Sequence, residues 1–330
     1  MPTSSHHASE PARAKVVFLD TSTIPQSVQF PTLSFPHSFT QYSKTSPEQV
    51  VDRLTGAQVA IVNKVVLDEN ILKQLPDLRL IAVSATGVNN IDLKACQRLG
   101  ISVTNVQGYA TQSVPEHVLA LMLALRRNIF AYHQDIKAGE WQKRGDFCFF
   151  NQPIGDLAGS TLAIIGRGSL GQALSVLGQA IGMRVIFADH KGVNQPREGY
   201  VEFHQALQQA DVVSLHCPLN PQTQNLIAQP ELAMMKPTSL LINTGRGGLV
   251  DEADLVAALK AGQIAGAGVD VFTQEPTDKT NPLIANMDLP NLILTPHVAW
   301  GSETAIRKLV AILFQNIDDF WQGKVSNCVI

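Results

Sequence analysis

The chain has 330 residues, of which 45% are hydrophobic and 16% are charged, and its net charge at pH 7 is −3. This composition is typical of a globular protein, and at about 150 residues per domain the length favours two domains. No Lys/Arg-rich run is present, which argues against a nucleic-acid-binding protein. The longest apolar run, Val118–Leu125, is too short for a bilayer span of about 20 residues, so we expect no membrane association.

The four cysteines are scattered and have no paired spacing of the kind that binds zinc or forms a redox motif. We therefore expect free thiols, no metal site and a reducing, cytoplasmic location. The N-terminal stretch MPTSSHHASEPARA, residues 1–14, lacks the apolar core of a signal peptide. It is predicted to be a short disordered leader, and His6–His7 is too small a group to count as a metal site.

Short apolar runs alternate with helical patterns along the chain, which favours parallel sheets with crossover helices. The first series of runs is KVVFLD, AQVAIVN, LRLIAVSA and ISVTNV. A second series comprises TLAIIG, RVIFAD, DVVSLHCP, SLLINTG, AGAGVDVF and NLILTPH. The runs of the first series are apolar on both faces, as strands buried beneath helices must be.

A single amphipathic helical segment, SETAIRKLVAILFQNIDDFWQG, follows the second series. A complete second αβ unit followed by one lone helix indicates an inserted domain, with the last helix returning to the first unit. The sequence thus predicts an α/β protein with two αβα domains and parallel sheets. The outer domain would be discontinuous, residues 1–110 and 301–330, and the inserted domain would be residues 111–300.

The segment that begins at Ser113 is predicted to be a long helix. Ser113 and Glu116 have the spacing of a capping box, with Pro115 in the first turn. Apolar residues follow at helical spacing and occupy nearly the whole circumference. Two interpretations stay open, a core helix or one buried between domains or subunits.

The stretch TLAIIGRGSLGQALSVLGQAIGMRVIFAD contains Gly166, Gly168 and Gly171 as G-x-G-x-x-G between a predicted strand and a predicted helix. In that context the first glycine permits a tight turn, the second lets the backbone approach a pyrophosphate, and the third lets the helix sit close to the sheet. Asp189 ends the next strand, where it would accept hydrogen bonds from the adenosine ribose and repel a 2′-phosphate, which favours NAD over NADP. Two alternatives remain, a glycine turn without a nucleotide and the glycine loop of a methyltransferase.

Three later strands of the second series end in reactive side chains. Arg246 follows SLLIN, Asp270 and Glu275 follow AGAGV, and His297 follows NLILTP. Because ligands bind at the carboxyl ends of parallel strands, these residues are expected to converge. Arg246 could bind a carboxylate and the adjacent carbonyl, His297 could donate a proton to a ketone, and Glu275 could hold the histidine tautomer and stabilise the imidazolium. Each residue taken alone could equally be an ordinary loop charge or a satisfied histidine.

The motifs GRGSLG…D, NTGRGGLVDE, GVDVFTQEP and TPHVAW occur in the order found in the D-isomer-specific 2-hydroxyacid dehydrogenase family, and the chain resembles this family from about Lys15 to its end. The stretches ATGVNNIDL, NVQGYAT, FCFF and FADHKG are most similar to the glycerate dehydrogenases (hydroxypyruvate reductases) within it. The resemblance implies a Rossmann-type NAD domain inserted in a flavodoxin-like substrate domain, and it assigns catalysis to Arg246, Glu275 and His297.

The resemblance also implies further site residues. SATGVNNID would be the substrate loop, with the amides of Gly87 and Val88 holding the carboxylate, and Arg246 and His297 would also bind the substrate. Dinucleotide contacts would come, besides the three loop glycines and Asp189, from Thr86, Ser169, Leu170, Cys217, Thr244 and Asp270, the last through the carboxamide.

The predicted reaction is hydride transfer between NAD(H) and C2 of a small 2-keto acid, with hydroxypyruvate or glyoxylate as first choice, in a cleft between the domains. The same fold acting on D-lactate or phosphoglycerate is the first alternative. An NAD-sensing, corepressor-like binding protein is the second. The helix from Ser113 and the resemblance both favour a homodimer.

Overall fold

The computed structural model describes residues 13–324 and 326–330. The chain divides into two compact units, of which unit 1 ends at Tyr109 and resumes over Glu303–Ile330, while unit 2 is Ala110–Ser302. Within the described ranges, no helix combines the length and the apolar character needed to cross a membrane. Residues 1–12 of the predicted leader, including His6–His7, lie outside the described part of the chain.

Unit 1 is built on a sheet of five parallel strands in the order β2-β1-β3-β4-β5. The central strands are buried over their whole length, which explains their unbroken apolar sequence. The strands are β1 Ala14–Phe18, β2 His37–Gln41, β3 Val59–Val62, β4 Leu80–Val83 and β5 Ser102–Thr104.

The described residues of unit 1 form the α-helices α1 Val50–Leu54, α2 Glu69–Leu72, α3 Leu93–Leu99 and the C-terminal α11 Glu303–Trp321. Helix α11 buries Leu309, Leu313 and Ile317, spaced by four residues, and its Phe314 stacks on Phe30 with ring centroids 5.5 Å apart. Helix α11 thus belongs to the same compact unit as strands β1 to β5.

Unit 2 is built on six parallel strands in the order β11-β10-β9-β8-β6-β7. The strand order reverses at β6, because β7 lies on one side of it and β8 to β11 lie on the other. Open α/β sheets form a binding crevice at such a point, here between β6 and β8. The strands are β6 Thr161–Ile165, β7 Arg184–Ala188, β8 Val212–Leu215, β9 Leu240–Asn243, β10 Gly266–Val269 and β11 Leu292–Leu294.

The helices of unit 2 are α4 Ser113–Arg126, α5 Ile129–Lys137, α6 Glu140–Arg144, α7 Ser169–Ala180, α8 Phe203–Gln209, α9 Gln229–Met234 and α10 Glu252–Lys260. Helix α4 packs closely on β10, because a side chain on Gly268 would come within 3.1 Å of Leu121. The two parallel sheets confirm the predicted fold class, and all ten predicted strands are present.

Three details differ from the sequence predictions. Strand β2 was not predicted, since HSFTQ is polar and lies at the sheet edge. Strand β1 begins at Ala14, so the leader cannot extend to that residue. The capping box is wrong, because Ser113 lies inside α4 and its hydroxyl donates to the carbonyl of Trp300 instead.

Candidate active site

The strands of the unit 2 sheet end level with one another. Strand pairing aligns the last residues of neighbouring strands across the entire sheet, so the six loops that follow emerge along one edge. The aligned residues are Leu294, Val269, Asn243, Leu215, Ile165 and Ala188. The site residues predicted in unit 2 therefore lie in loops that emerge along this one edge of the sheet.

The glycine loop between β6 and α7 is shaped by close backbone contacts. Gly166 has φ +106°, and a Cβ there would lie 2.6 Å from the carbonyl of His216. A Cβ on Gly171 would lie 2.1 Å from the carbonyl oxygen of Gly166, so helix α7 can approach the loop only with glycine at this position. Around Gly168, by contrast, a Cβ would meet nothing within 4 Å, which leaves the backbone open to a ligand.

Helix α7 begins at Ser169, and no side chain caps its first turn. Ser169 and Leu170 lie in this turn, so their amides have no intrahelical partner and point toward the loop. Uncapped helix amides beside an open glycine backbone could bind an anion, and such an arrangement is expected where a dinucleotide pyrophosphate binds.

Two other residues predicted to contact the dinucleotide lie just after β8 and β9. Thr244 is buried, and its hydroxyl has no hydrogen-bond partner in the described part of the chain, as expected of a group that awaits a ligand. Burial raises the pKa of the Cys217 thiol to about 11. Cys217 is therefore a neutral thiol that can pack against a ligand but does not act as a nucleophile.

Asp189 directly follows β7 and is buried. Its carboxylate accepts hydrogen bonds from the amides of His190 and Arg197, each at 2.8 Å, and from the guanidinium of Arg197 at 2.9 Å (Nε) and 2.5 Å (Nη2). The hydrogen bonds from the Arg197 side chain and amide, and from the His190 amide, hold the pKa of Asp189 far below its usual range. The predicted ribose acceptor is thus an ionised carboxylate already paired within the protein.

His297 and Glu275 form a hydrogen-bonded acid–base pair at the sheet edge. Nδ1 of His297 lies 2.6 Å from Oε2 of Glu275, and Oε1 of Glu275 accepts the Phe272 amide at 2.9 Å. Because a carboxylate only accepts, Nδ1 of His297 carries the hydrogen. Nε2 has no partner among the described residues, and the imidazole is partly exposed, so Nε2 can exchange a proton with a ligand.

The turn that carries His297 is held by Asp270. His297 has φ +56°, a left-handed conformation that non-glycine residues adopt only when surrounding contacts impose it. Its amide donates to the Asp270 carbonyl at 2.7 Å, and the Asp270 carboxylate accepts the amides of Val298 (2.9 Å) and Ala299 (3.0 Å). Asp270 is fully buried, and the carboxamide contact that the resemblance implies for it stays a prediction.

A second histidine extends this network. The Thr295 hydroxyl donates to Asp270 Oδ1 at 2.5 Å, so the 3.1 Å contact between Thr295 Oγ1 and Nε2 of His117 requires His117 to donate. His117, on helix α4, was not predicted from the sequence. The sequence feature that could have identified His117 is its position on the apolar face of the helix, between Val114 and Leu121.

Arg246 lies in the loop after β9, which packs against the loop that carries Glu275. A Cβ on Gly247 would come within 1.9 Å of the Phe272 carbonyl oxygen, so the two loops can meet only at a glycine. Nη1 of Arg246 donates to the carbonyl of Gly245 at 2.7 Å, and Asn243 Nδ2 donates to the Arg246 carbonyl at 2.9 Å. These bonds fix the loop and leave most of the guanidinium donors unused.

The predicted substrate loop lies in unit 1, after β4. The amides of Gly87 and Val88 donate to no acceptor within the described ranges, so both are free to bind a carboxylate. The Thr86 hydroxyl donates to the Val106 carbonyl at 2.7 Å and keeps its acceptor positions. Across residues 13–324 and 326–330, no group of three or more His, Cys, Asp or Glu side chains could hold a metal ion.

Comparison with known proteins gives a consistent result. A family model described as D-isomer specific 2-hydroxyacid dehydrogenase, NAD binding domain, matches residues 119–299. Glycerate dehydrogenase of Methylorubrum extorquens is 48% identical over 316 residues, 96% of this chain and 98% of that protein. Hydroxypyruvate reductase of Blautia hydrogenotrophica is 35% identical over 290 residues, covering 87% and 89%.

A solved structure also shares the fold. D-Lactate dehydrogenase of Aquifex aeolicus, complexed with NAD and lactic acid, has a TM-score of 0.78 and 27% identity, covering 93% of this chain and 96% of that one. The family model confirms the resemblance inferred from the motifs and makes NAD the cofactor of this oxidoreductase. The chain belongs to the D-isomer-specific 2-hydroxyacid dehydrogenase family.

Proposed function

We propose that the protein reduces hydroxypyruvate and glyoxylate to D-glycerate and glycolate with NADH, and catalyses the reverse oxidation. The observation that carries the proposal is the His297–Glu275 pair, 2.6 Å apart, on the same sheet edge as the glycine loop. The glycerate dehydrogenase and hydroxypyruvate reductase names of two similar proteins support the choice of substrate.

In the reductive direction, bound NADH supplies the hydride that adds to C2 of the keto acid. Protonated His297 donates the Nε2 proton to the carbonyl oxygen as negative charge develops there, and it ends neutral with Nδ1–H still bonded to Glu275. Glu275 holds the ring orientation and offsets the positive charge of the imidazolium. The overall balance is one keto acid, one NADH and one proton consumed, with one hydroxy acid and NAD⁺ formed.

Arg246 and the substrate loop would orient the acid. The planar guanidinium of Arg246 suits a carboxylate oxygen and the adjacent carbonyl oxygen. The unpaired amides of Gly87 and Val88 would hold the carboxylate, and Asp270 would keep the His297 turn in place. In this proposal Gly166, Gly168, Gly171, Ser169 and Leu170 hold the pyrophosphate.

The substrate proposal is tested with a panel of 2-keto acids, with NADH oxidation followed at 340 nm. We expect kcat/KM for hydroxypyruvate to exceed that for pyruvate by about tenfold or more, since the additional hydroxyl of hydroxypyruvate offers at least one more hydrogen bond, and we expect glyoxylate to be reduced as well. A preference for pyruvate would contradict the substrate choice but leave the reaction class intact. Tight NADH binding without turnover on any keto acid would favour a cofactor-sensing protein instead.

We also propose that the protein is a homodimer in a reducing compartment such as the cytoplasm. Of the residues in helices α5 and α6, Ala131 alone is buried within the chain. Of fourteen large apolar side chains exposed in the described part of the chain, eight lie between Leu123 and Ile154, including Phe147 and Phe150. An aromatic surface of this kind is typical of an interface core, and symmetric dimers are the commonest oligomers. The four cysteines are all free.

Sedimentation velocity tests the dimer. The wild type is expected to sediment as a dimer, and Phe147→Asp with Phe150→Asp is expected to shift it to monomer, because two charges would be buried in the interface. The control is Leu99→Asp, an exposed apolar side chain of unit 1, which should stay dimeric. A monomeric wild type, or a double variant that stays dimeric, would refute the proposal.

A further inference from the structure

Helix α4 contacts the segment that carries His297 at both of its ends. Ser113 and His117 are four residues apart in α4, so their side chains lie on the same face of the helix. The Ser113 hydroxyl donates to the carbonyl of Trp300 at 3.2 Å. Nε2 of His117 lies 3.1 Å from the hydroxyl oxygen of Thr295. Thr295 precedes His297 and Trp300 follows it, so the catalytic turn lies between two hydrogen bonds to one helix.

His117 contributes one hydrogen-bond donor to this arrangement. The Thr295 hydroxyl has a single hydrogen and donates it to Oδ1 of Asp270 at 2.5 Å, so Nε2 of His117 carries the hydrogen of its own contact with Thr295. Nδ1 of His117 bonds to none of the residues in the described ranges. The group that His117 supplies to the segment is therefore its Nε2–H.

Thr295 connects this donor to a buried carboxylate. Asp270 is fully buried, its Oδ1 also accepts the Val298 amide at 2.9 Å, and its Oδ2 accepts the Ala299 amide at 3.0 Å. Among the described residues, His117 is the one basic side chain within 4 Å of this carboxylate, with Nε2 3.9 Å from Oδ1. Because hydrogen bonds in a chain polarise one another, the His117 donor strengthens the bond from Thr295 to Asp270.

The backbone turn at His297 depends on the same carboxylate. The φ of +56° is unfavourable for a residue with a side chain, so surrounding bonds must impose it. The Asp270 carboxylate supplies two of these bonds, through the two amides that directly follow His297. A proton donor must lie at hydrogen-bond distance from the reacting oxygen, and a displacement of about 1 Å can lower the rate by about a hundredfold. A less firmly held carboxylate would therefore slow the proton transfer.

We propose that His117 is a positioning residue for proton transfer, which acts through Thr295 and Asp270 to fix the turn from which His297 delivers its proton. The inference rests on the proposed function, because it takes His297 as the proton donor. The alternative is that His117 only packs between helix α4 and Thr295 and has no effect on the reaction beyond the stability of the fold.

The test compares two variants of His117 in hydroxypyruvate reduction at saturating NADH. His117→Leu removes the donor, so kcat should fall by about tenfold, the loss of one hydrogen bond, while KM for hydroxypyruvate changes by less than about twofold. The solvent deuterium isotope effect on kcat should rise above that of the wild type, since proton delivery becomes slower relative to the other steps. His117→Gln places an amide donor near the position of Nε2 and should restore kcat to within about threefold of wild type.

Two further variants serve as controls. His117→Asn carries the same amide as His117→Gln but is one carbon too short to reach Thr295, so it should behave like His117→Leu and replaces that variant if leucine prevents folding. His204→Leu removes a partly exposed histidine of helix α8 that pairs with Glu202 at 3.2 Å, and it should leave kcat, KM and the isotope effect unchanged. A thermal melt of each variant separates loss of positioning from loss of folding.

A double variant tests the route through Thr295. Thr295→Val keeps the shape of the side chain but removes the hydroxyl, so adding His117→Leu to it should lower kcat by less than a further twofold or so. If the two losses multiply, His117 acts independently of Thr295 and the inference is wrong. It is also wrong if kcat of His117→Leu and His117→Asn stays within about twofold of wild type, or if folded His117→Gln is as slow as His117→Asn. A wild type that reduces no keto acid would instead refute the proposed function, and this inference with it.

Discussion

His297→Ala is expected to lower kcat for hydroxypyruvate reduction by about a thousandfold, while the Kd for NADH changes by less than about twofold. The reason is the geometry of the ring. Nδ1 is fixed by Glu275 at 2.6 Å, and only Nε2 is free to deliver a proton to the developing alkoxide. Alanine removes that proton source but leaves the glycine loop and helix α7 unchanged. Stopped-flow turnover and fluorescence titration of NADH measure the two quantities separately.

The control for this variant is His204→Ala. His204 lies on helix α8 and pairs with Glu202 at 3.2 Å, outside the proposed site, so turnover should stay within about twofold of wild type. Glu275→Gln should give an intermediate loss, because glutamine can still accept a hydrogen bond but does not offset the imidazolium charge. If His297→Ala retains near wild-type kcat, another group supplies the proton and the proposed mechanism is wrong.

The sheets could be predicted because their strands are buried on both faces and therefore carry unbroken apolar runs. Strand β2 could not, since only its neighbour β1 pairs with it and its sequence, HSFTQ, is polar. The capping box failed for a similar reason. The spacing of Ser113 and Glu116 is a local signal, whereas the partner of the Ser113 hydroxyl is Trp300, far away in sequence.

The candidate site also has features that could be predicted from the sequence and features that could not. The positions of residues that closely follow strand ends, such as Arg246 and His297, could be predicted because sheet topology brings strand ends together. The hydrogen-bond partners of the site residues depend on how the loops fold, so they could not be predicted from the sequence. Arg197 reaches Asp189 across the loop after β7, and His117 reaches Thr295 across 178 positions. Neither pairing follows from periodicity or a motif, yet each determines which lone pairs remain for a ligand.

Arg246→Lys is expected to lower kcat/KM for hydroxypyruvate by about a hundredfold, or about 2.7 kcal/mol of transition-state stabilisation, with NADH affinity unchanged. Lysine keeps the charge but not the planar fork, so it can bond the carboxylate or the carbonyl oxygen but cannot hold both in one plane. The Asn243 hydrogen bond to the Arg246 carbonyl and the close packing of Gly247 against Phe272 do not involve the guanidinium and should survive.

Arg127→Lys is the matched control, since Arg127 is a partly exposed arginine paired with Asp156 at 2.9 Å and has no proposed ligand. Its kcat/KM should stay within about twofold of wild type. The pattern of the loss in Arg246→Lys is informative as well. A rise in KM alone would mean that Arg246 binds substrate and transition state equally, whereas a fall in kcat means that it orients the carbonyl for the hydride. Unchanged kcat and KM would remove Arg246 from the site and leave carboxylate binding to the amides of Gly87 and Val88.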